Sequence, residues 1–159
     1  MRIIEKIKDM NDISKDLSRS TKKIAFVPTM GAIHAGHLSL VKKASKLADE
    51  VIVSIFVNPM QFAAHEDFDK YPRDNATDIA LLEEAGVNFL FMPNSQEIIN
   101  DNGFKVSTGE LGQDLEGEFR PHFFDGVATI VLKLFNIVQP DIAVFGEKDY
   151  QQLLSLIHI

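Results

Sequence analysis

Ile24-Ala25-Phe26-Val27-Pro28-Thr29-Met30-Gly31-Ala32-Ile33-His34-Ala35-Gly36-His37-Leu38 contains the switch of periodicity that decides the fold. Residues 24–27 form a short apolar run led by Lys22-Lys23 and stopped by Pro28, which predicts a buried strand. Over residues 37–47 apolar side chains recur at Leu38, Leu40, Val41, Ala44 and Leu47, a helical spacing. Residues 28–37, which join the two, carry two glycines and two histidines. The unit is therefore strand, loop, helix, with the unusual chemistry in the loop.

The same alternation runs outward from this point. Residues 51–57 are rich in β-branched residues and almost wholly apolar up to Asn58-Pro59, a second strand. Residues 75–85 place Ile79, Leu81, Leu82 and Ala85 on one helical side, with Gly86 at the C-cap position. Residues 87–92 predict a third strand, closed by Pro93, and residues 94–100 a short helix capped by Asn94 or Ser95. Residues 105–111 are too mixed to assign, residues 127–138 predict an apolar helix, and residues 142–145 a fourth strand ended by Gly146. Strands alternating with helices imply a parallel sheet with right-handed crossovers. Strands apolar on both sides require helices on both faces. The expected class is α/β, a Rossmann-like, doubly wound parallel sheet.

Composition narrows the function classes. The chain of 159 residues has 45% hydrophobic and 25% charged residues, normal for one globular domain. Its formal net charge of -7 gives no reason to seek nucleic acid or an anionic membrane. Zero cysteines exclude disulfides, Cys-based zinc sites and thiol nucleophiles. Residues 1–10 interleave charge with apolar residues, unlike a signal peptide, and no window approaches the ~20 apolar residues of a membrane span. The expectation is an unprocessed cytoplasmic protein.

In parallel sheets covered on both faces, ligands bind beyond the carboxyl ends of the strands. Three exits matter: those after Val27, Val57 and Phe145. In the first, His34 and His37 stand three residues apart at a helix start, so both can face one way. A helix N-terminus suits a phosphate, and two imidazoles can donate to phosphate oxygens and to charge developing on them. The bland alternative is a loop histidine and a helix-start histidine with ordinary hydrogen bonds. Zinc has two candidate ligands here but no third. The loop is neither GxGxxG nor a P-loop; it fits HxGH. In the second exit, Asn58 and Gln61 are carboxamides beside Met60 and Phe62, suited to a small ligand with an apolar body and hydroxyl or carboxylate ends, or simply a turn. In the third, Lys148 can neutralise triphosphate charge, Asp149 can receive ribose hydroxyls or help hold Mg²⁺, and Gln152 can face the same cleft. The alternative there is a solvated charged turn.

Taken together, residues 28–41 (PTMGAIHAGHLSLV), 54–62 (SIFVNPMQF), 66–73 (EDFDKYPR) and 131–153 (VLKLFNIVQPDIAVFGEKDYQQL) resemble the pantothenate synthetase family, within the HxGH nucleotidylyltransferases. The resemblance implies ATP-dependent condensation of pantoate with β-alanine through a pantoyl adenylate, releasing AMP and pyrophosphate. It implies ATP contacts from Met30, Gly31, Ala32, Ile33, His34, Ala35, Gly36, His37, Gly146, Glu147, Lys148 and Asp149. His34, His37 and Lys148 would be catalytic; Gln61, Gln152 and Asn58 would hold pantoate or β-alanine. ATP enters as substrate with Mg²⁺; no protein ligand to metal is assigned, and no organic cofactor, nucleic acid or membrane partner is expected. A homodimer is implied.

Two features depart from the family. Where many members read Arg-Pro-Gly-His-Phe, this chain has Arg120-Pro121-His122-Phe123-Phe124, so His122 is expected to serve loop structure. Family members also extend into a C-terminal lid domain and a Ser/Arg loop over ATP. Residues 1–159 are thus expected to be an incomplete nucleotide-binding domain, weakly active or inactive alone, with a tail at residues 155–159 that gives His158 no role. The competing readings are another HxGH adenylyltransferase with a nucleotide or phosphopantetheine acceptor, and a non-catalytic ATP-binding or dimerisation fragment. A tRNA synthetase fragment fits least, since no basic patch is present.

Overall fold

Strands β2 (Ile24–Thr29) and β3 (Glu50–Ile55) lie side by side in parallel at the centre of the sheet, Phe26 opposite Ile52 and Val27 opposite Val53. The structure is a computed structural model that describes residues 1–62, 68–99, 103–157 and 159. Strand β4 (Phe89–Phe91) flanks β3, and β1 (Arg2–Ile4) lies outside β4. Strand β5 (Ile142–Ala143) pairs with the other side of β2. The order is β1-β4-β3-β2-β5, every pair parallel.

Side-chain alternation along the strands builds two cores. Ile24, Phe26, Ile52 and Phe91 face one way, packing with Met10 of α1 (Ile7–Arg19) and Ile130, Leu134 and Val138 of α6 (Phe123–Val138). Ala25, Val27, Val51, Val53 and Leu90 face the other way, against Val41 and Ala44 of α2 (Ala35–Ala44) and Leu82 of α3 (Asn75–Glu84). The expected doubly wound α/β sheet is present. Right-handed crossovers explain the split. The chain steps β2, β3, β4 in one direction with α2 and α3 on one face. It reaches β2 from β1, and β5 from β4, in the opposite direction, with α1 and α6 on the other face. The direction reverses beside β2, so the crevice at the carboxyl ends of β2 and β5 is the topological switch point, where such sheets bind ligands.

Several boundaries differ from expectation. Strand β1 and helix α1 were not anticipated, although Ile7, Met10, Ile13 and Leu17 make an apolar stripe that packs on the sheet. Strand β3 ends at Ile55, β4 is confined to Phe89–Phe91 and β5 to Ile142–Ala143. Helix α6 begins at Phe123, just after a left-handed His122. The short helix α4 (Ser95–Ile98) is capped by Asn94, whose Oδ1 accepts from Gln96 N. Between it and α6 lie a 3-10 turn at Gly109–Gly112 and a one-turn helix α5 (Glu116–Phe119), and the last helix is α7 (Tyr150–Leu156). Glu66 and Asp67 of the resembling segment, Asn100 and His158 lie outside the described residues.

Candidate active site

The loop leaving β2 is set by hydrogen bonds from its own backbone. Thr29 Oγ1 donates to Ser54 O on β3 (2.7 Å) and accepts from Gly31 N (3.2 Å). Gly31 (φ +85°) and Ala32 (φ 52°) are both left-handed. The next two N–H groups, of Ala32 and Ile33, donate to the carboxylate of Asp78 on α3, at 2.9 and 2.7 Å. Helix α2 then starts two residues earlier than expected, because His34 is its N-cap. His34 Nδ1 accepts from Gly36 N (3.0 Å), and His37 Nδ1 accepts from His34 N (3.4 Å), a reciprocal capping box built from two histidines.

This capping fixes the chemistry of both rings. An Nδ1 that accepts a hydrogen bond carries no proton, so the neutral ring bears its proton on Nε2. Each histidine therefore has one outward nitrogen, an N–H donor. The rings lie 4.1 Å apart, tilted by 36°. Burial depresses the His37 pKa below the ordinary 6.5, helped by His34 and Lys148 and opposed by Asp78 and Asp149. The bland reading of the pair is thus half right: Nδ1 is structural in both residues, and Nε2 is what remains.

The second exit is a 3-10 turn at Pro59–Gln61 capped by Asn58. Asn58 is buried (3% exposed) and its polar atoms are committed: Oδ1 accepts from Met60 N (3.0 Å), and Nδ2 donates to Gly126 O and to Gln61 Oε1, both at 3.2 Å. Gln61 consequently has its oxygen held, leaving its Nε2 as donor. Arg120 Nη2 donates to Gln61 O (3.0 Å) and its guanidinium stacks on Phe123, 3.8 Å from the ring centre.

These exits meet around a cavity of about 300 Å³ at the switch point. Met30, His34, His37, Asn58, Gln61, Lys148, Asp149 and Gln152 all line it, with Phe56, Val127, Ile130, Val131, Leu134 and Phe145 as an apolar wall. Lys148 is 85% exposed and lies 3.4 Å from Asp149. Gln151, next to Gln152, instead donates to Leu111 O and Asp114 O and ties α7 to the preceding turn. Of the residues the sequence singles out, Gly31, Ala32, Ile33, Ala35, Gly36, Gly146 and Glu147 do not line the cavity. Sequence reasoning missed Tyr71, which lines it and whose phenol is pushed up by burial and by Asp78. It also missed Asp78, whose position inside a helical pattern gives no sign of its reach to the loop. Among the described residues there is no group of three or more His, Cys, Asp or Glu able to hold a metal, and no helix long and apolar enough to cross a membrane.

The fold has close counterparts. A crystal structure of pantothenate synthetase from Thermus thermophilus superposes with a TM-score of 0.90 at 46% identity, covering 98% of this chain and 55% of that one. A pantoate–β-alanine ligase from Francisella tularensis, complexed with β-γ ATP and β-alanine, superposes with a TM-score of 0.92 at 44% identity, covering 98% and 60%. The architecture is that of the α/β nucleotidylyltransferase class. The profile described as "Pantoate-beta-alanine ligase" matches residues 2–158. Pantothenate synthetase of Aquifex aeolicus is 56% identical over 95% of this chain and 54% of its own length; that of Carboxydothermus hydrogenoformans is 52% identical over 98% and 56%. The chain belongs to the pantoate–β-alanine ligase family. It spans about half the length of the curated relatives it matches.

Proposed function

We propose that this chain supplies the ATP and pantoate sites of an AMP-forming pantoate–β-alanine ligase, acting in the cytoplasm. The observation that carries this is one cavity that brings together His34, His37, Gln61, Gln152 and Lys148 against an apolar wall. The α-carboxylate of pantoate attacks the α-phosphorus of ATP; the bond to the bridging oxygen breaks and pyrophosphate leaves. The β-alanine amine then attacks the pantoyl carbonyl, and AMP departs with the electron pair, the amine losing a proton. His34 and His37 donate from Nε2 to phosphate oxygens as negative charge shifts toward the leaving group. Lys148 neutralises the same charge as a point cation. Gln61 Nε2 donates to pantoate, Gln152 faces it, and the wall formed by Phe56, Val127, Val131 and Leu134 shelters its apolar body. Asn58 serves by holding Gln61. Met30 lines the ATP side; Gly146, Glu147 and Asp149 form the exit around Lys148. Mg²⁺ arrives on the triphosphate as part of the substrate.

Pantoate-dependent exchange of pyrophosphate into ATP tests the reading. Exchange that requires pantoate supports it. Exchange driven by a nucleotide or phosphopantetheine acceptor, and indifferent to pantoate, contradicts it. A polypeptide of residues 1–159 alone, about half the length of its relatives, is expected to turn over about 10²–10³-fold more slowly than a full-length relative, the loss typical of removing one transition-state donor. A homodimer is proposed from the family resemblance, and light scattering measures it directly.

A further inference from the structure

Asp78 is 3% exposed and sits in the first turn of α3, forty-five residues from Ile33, yet it does not line the cavity. Gly31 N, Ala32 N and Ile33 N follow one another through two left-handed residues. Successive N–H groups in a turn can form a concave nest that holds an anion. Here the protein fills the nest itself: Gly31 N meets Thr29 Oγ1, and Ala32 N and Ile33 N each meet a different oxygen of Asp78. Ala32 has a Cβ and adopts φ 52°, a conformation L-residues rarely take, so something must hold it there. The residue after Ile33 is the N-cap His34, through which both imidazoles are oriented.

We propose that Asp78 is the positioning residue of the His34/His37 pair, an internal anion that occupies the backbone nest of the loop and leaves the imidazole Nε2–H groups, rather than the loop amides, to meet phosphate. The second half of this statement rests on the function proposed above; the first half does not. The chemistry is specific to a carboxylate. Two N–H donors need two acceptors, and a carboxamide offers one acceptor and sets an NH₂ against the other N–H. Asp78→Asn therefore releases one end of the clamp while keeping the shape.

The test uses the ¹³C,¹⁵N-labelled chain. In the wild type, scalar couplings across the hydrogen bonds from the Ala32 and Ile33 amides to the Asp78 carboxyl carbon are expected. So are imidazole spectra with His34 and His37 as Nε2–H tautomers. In Asp78→Asn, with the unfolding transition still cooperative, exchange of those two amides is expected to accelerate about tenfold or more, with the two imidazole spectra shifting together, and Mg·ATP affinity to fall about tenfold. Unchanged amide protection and unchanged imidazole spectra in the folded variant overturn the proposal, even if ATP affinity drops. If the variant does not fold, the wild-type couplings decide: their absence overturns the clamp. A wild-type chain that shows the clamp but binds no Mg·ATP contradicts the proposed function and leaves the clamp supported.

Discussion

His34 and His37 cap the same helix reciprocally, each Nδ1 accepting a backbone N–H while the two ring centres stay 4.1 Å apart. A motif that suits phosphate chemistry therefore also caps α2, and the two roles use different nitrogens. Substituting either histidine perturbs a helix start as well as a ligand contact. Glutamine is the more informative replacement than alanine, because its oxygen can still accept the capping N–H.

The pH dependence follows from His37. Its folded-state pKa lies below the ordinary 6.5, chiefly through burial. The unfolded chain then binds more protons than the folded one between these two values, so stability contributed by neutral His37 is complete above pH 6.5 and is lost as pH falls through the window. Urea midpoints measured from neutral to mildly acidic pH should decline in the wild type and decline less in His37→Gln.

Asn58 is expected to behave as a structural keystone of its turn. Asn58→Ala removes the side-chain donor to Gly126 O and Gln61 Oε1 and the acceptor of Met60 N, at a cost of about 1–3 kcal/mol. Asn58→Asp should cost more, since it places a carboxylate against those two acceptors. Denaturant unfolding ranks the three proteins; equal stability of Asn58→Asp and the wild type would refute the assignment. Pantoate affinity should fall in Asn58→Ala through release of the Gln61 side chain.

Gly126 allows that turn to lie directly on α6. A Cβ at this position would stand 2.5 Å from Met60 O and 2.8 Å from Met60 C. Both contacts are backbone, so they are relieved only by shifting the turn. Gly126→Ala should destabilise by about 1–3 kcal/mol, as overpacking typically does, and should weaken ligand binding at Gln61 at the same time.

Two left-handed glycines provide an internal control. At Gly31 (φ +85°) a Cβ would lie 2.9 Å from Asp78 Oδ2, whereas at Gly86 (φ +80°) it would meet nothing within 4 Å. Gly86→Ala should show only the backbone penalty of about 1–2 kcal/mol. Gly31→Ala should exceed it and should accelerate amide exchange at Ala32 and Ile33. Equal losses in urea unfolding would mean that the Asp78 contact carries no weight.

How much of this was legible in the sequence depended on where each residue spends its side chain. The central strands were readable because Ala25, Phe26, Val27, Ile52 and Val53 are buried on both faces, which demands continuous apolar runs. Strand β1 was not, because an edge strand of three residues with Arg2 and Ile3 exposed leaves no run to read. Gln61 and Lys148 stood out because they sit at strand exits, and both line the cavity. Asp78 was not, because an acidic residue in a first helical turn ordinarily compensates the helix dipole. Asn58 was found for its chemistry, but residue type alone does not reveal that its polar atoms already have partners within the protein.

In the proposed function, the His34/His37 pair receives the phosphates of ATP at the switch point. Titration of the ¹⁵N-labelled 159-residue chain with Mg·ATP tests it most directly, alongside the His34→Gln/His37→Gln double variant. Saturable one-to-one binding is expected, with shifts centred on His34, His37 and Lys148 and an affinity about tenfold or more weaker in the folded double variant. No saturable binding, or an affinity unchanged by the double substitution, would contradict it.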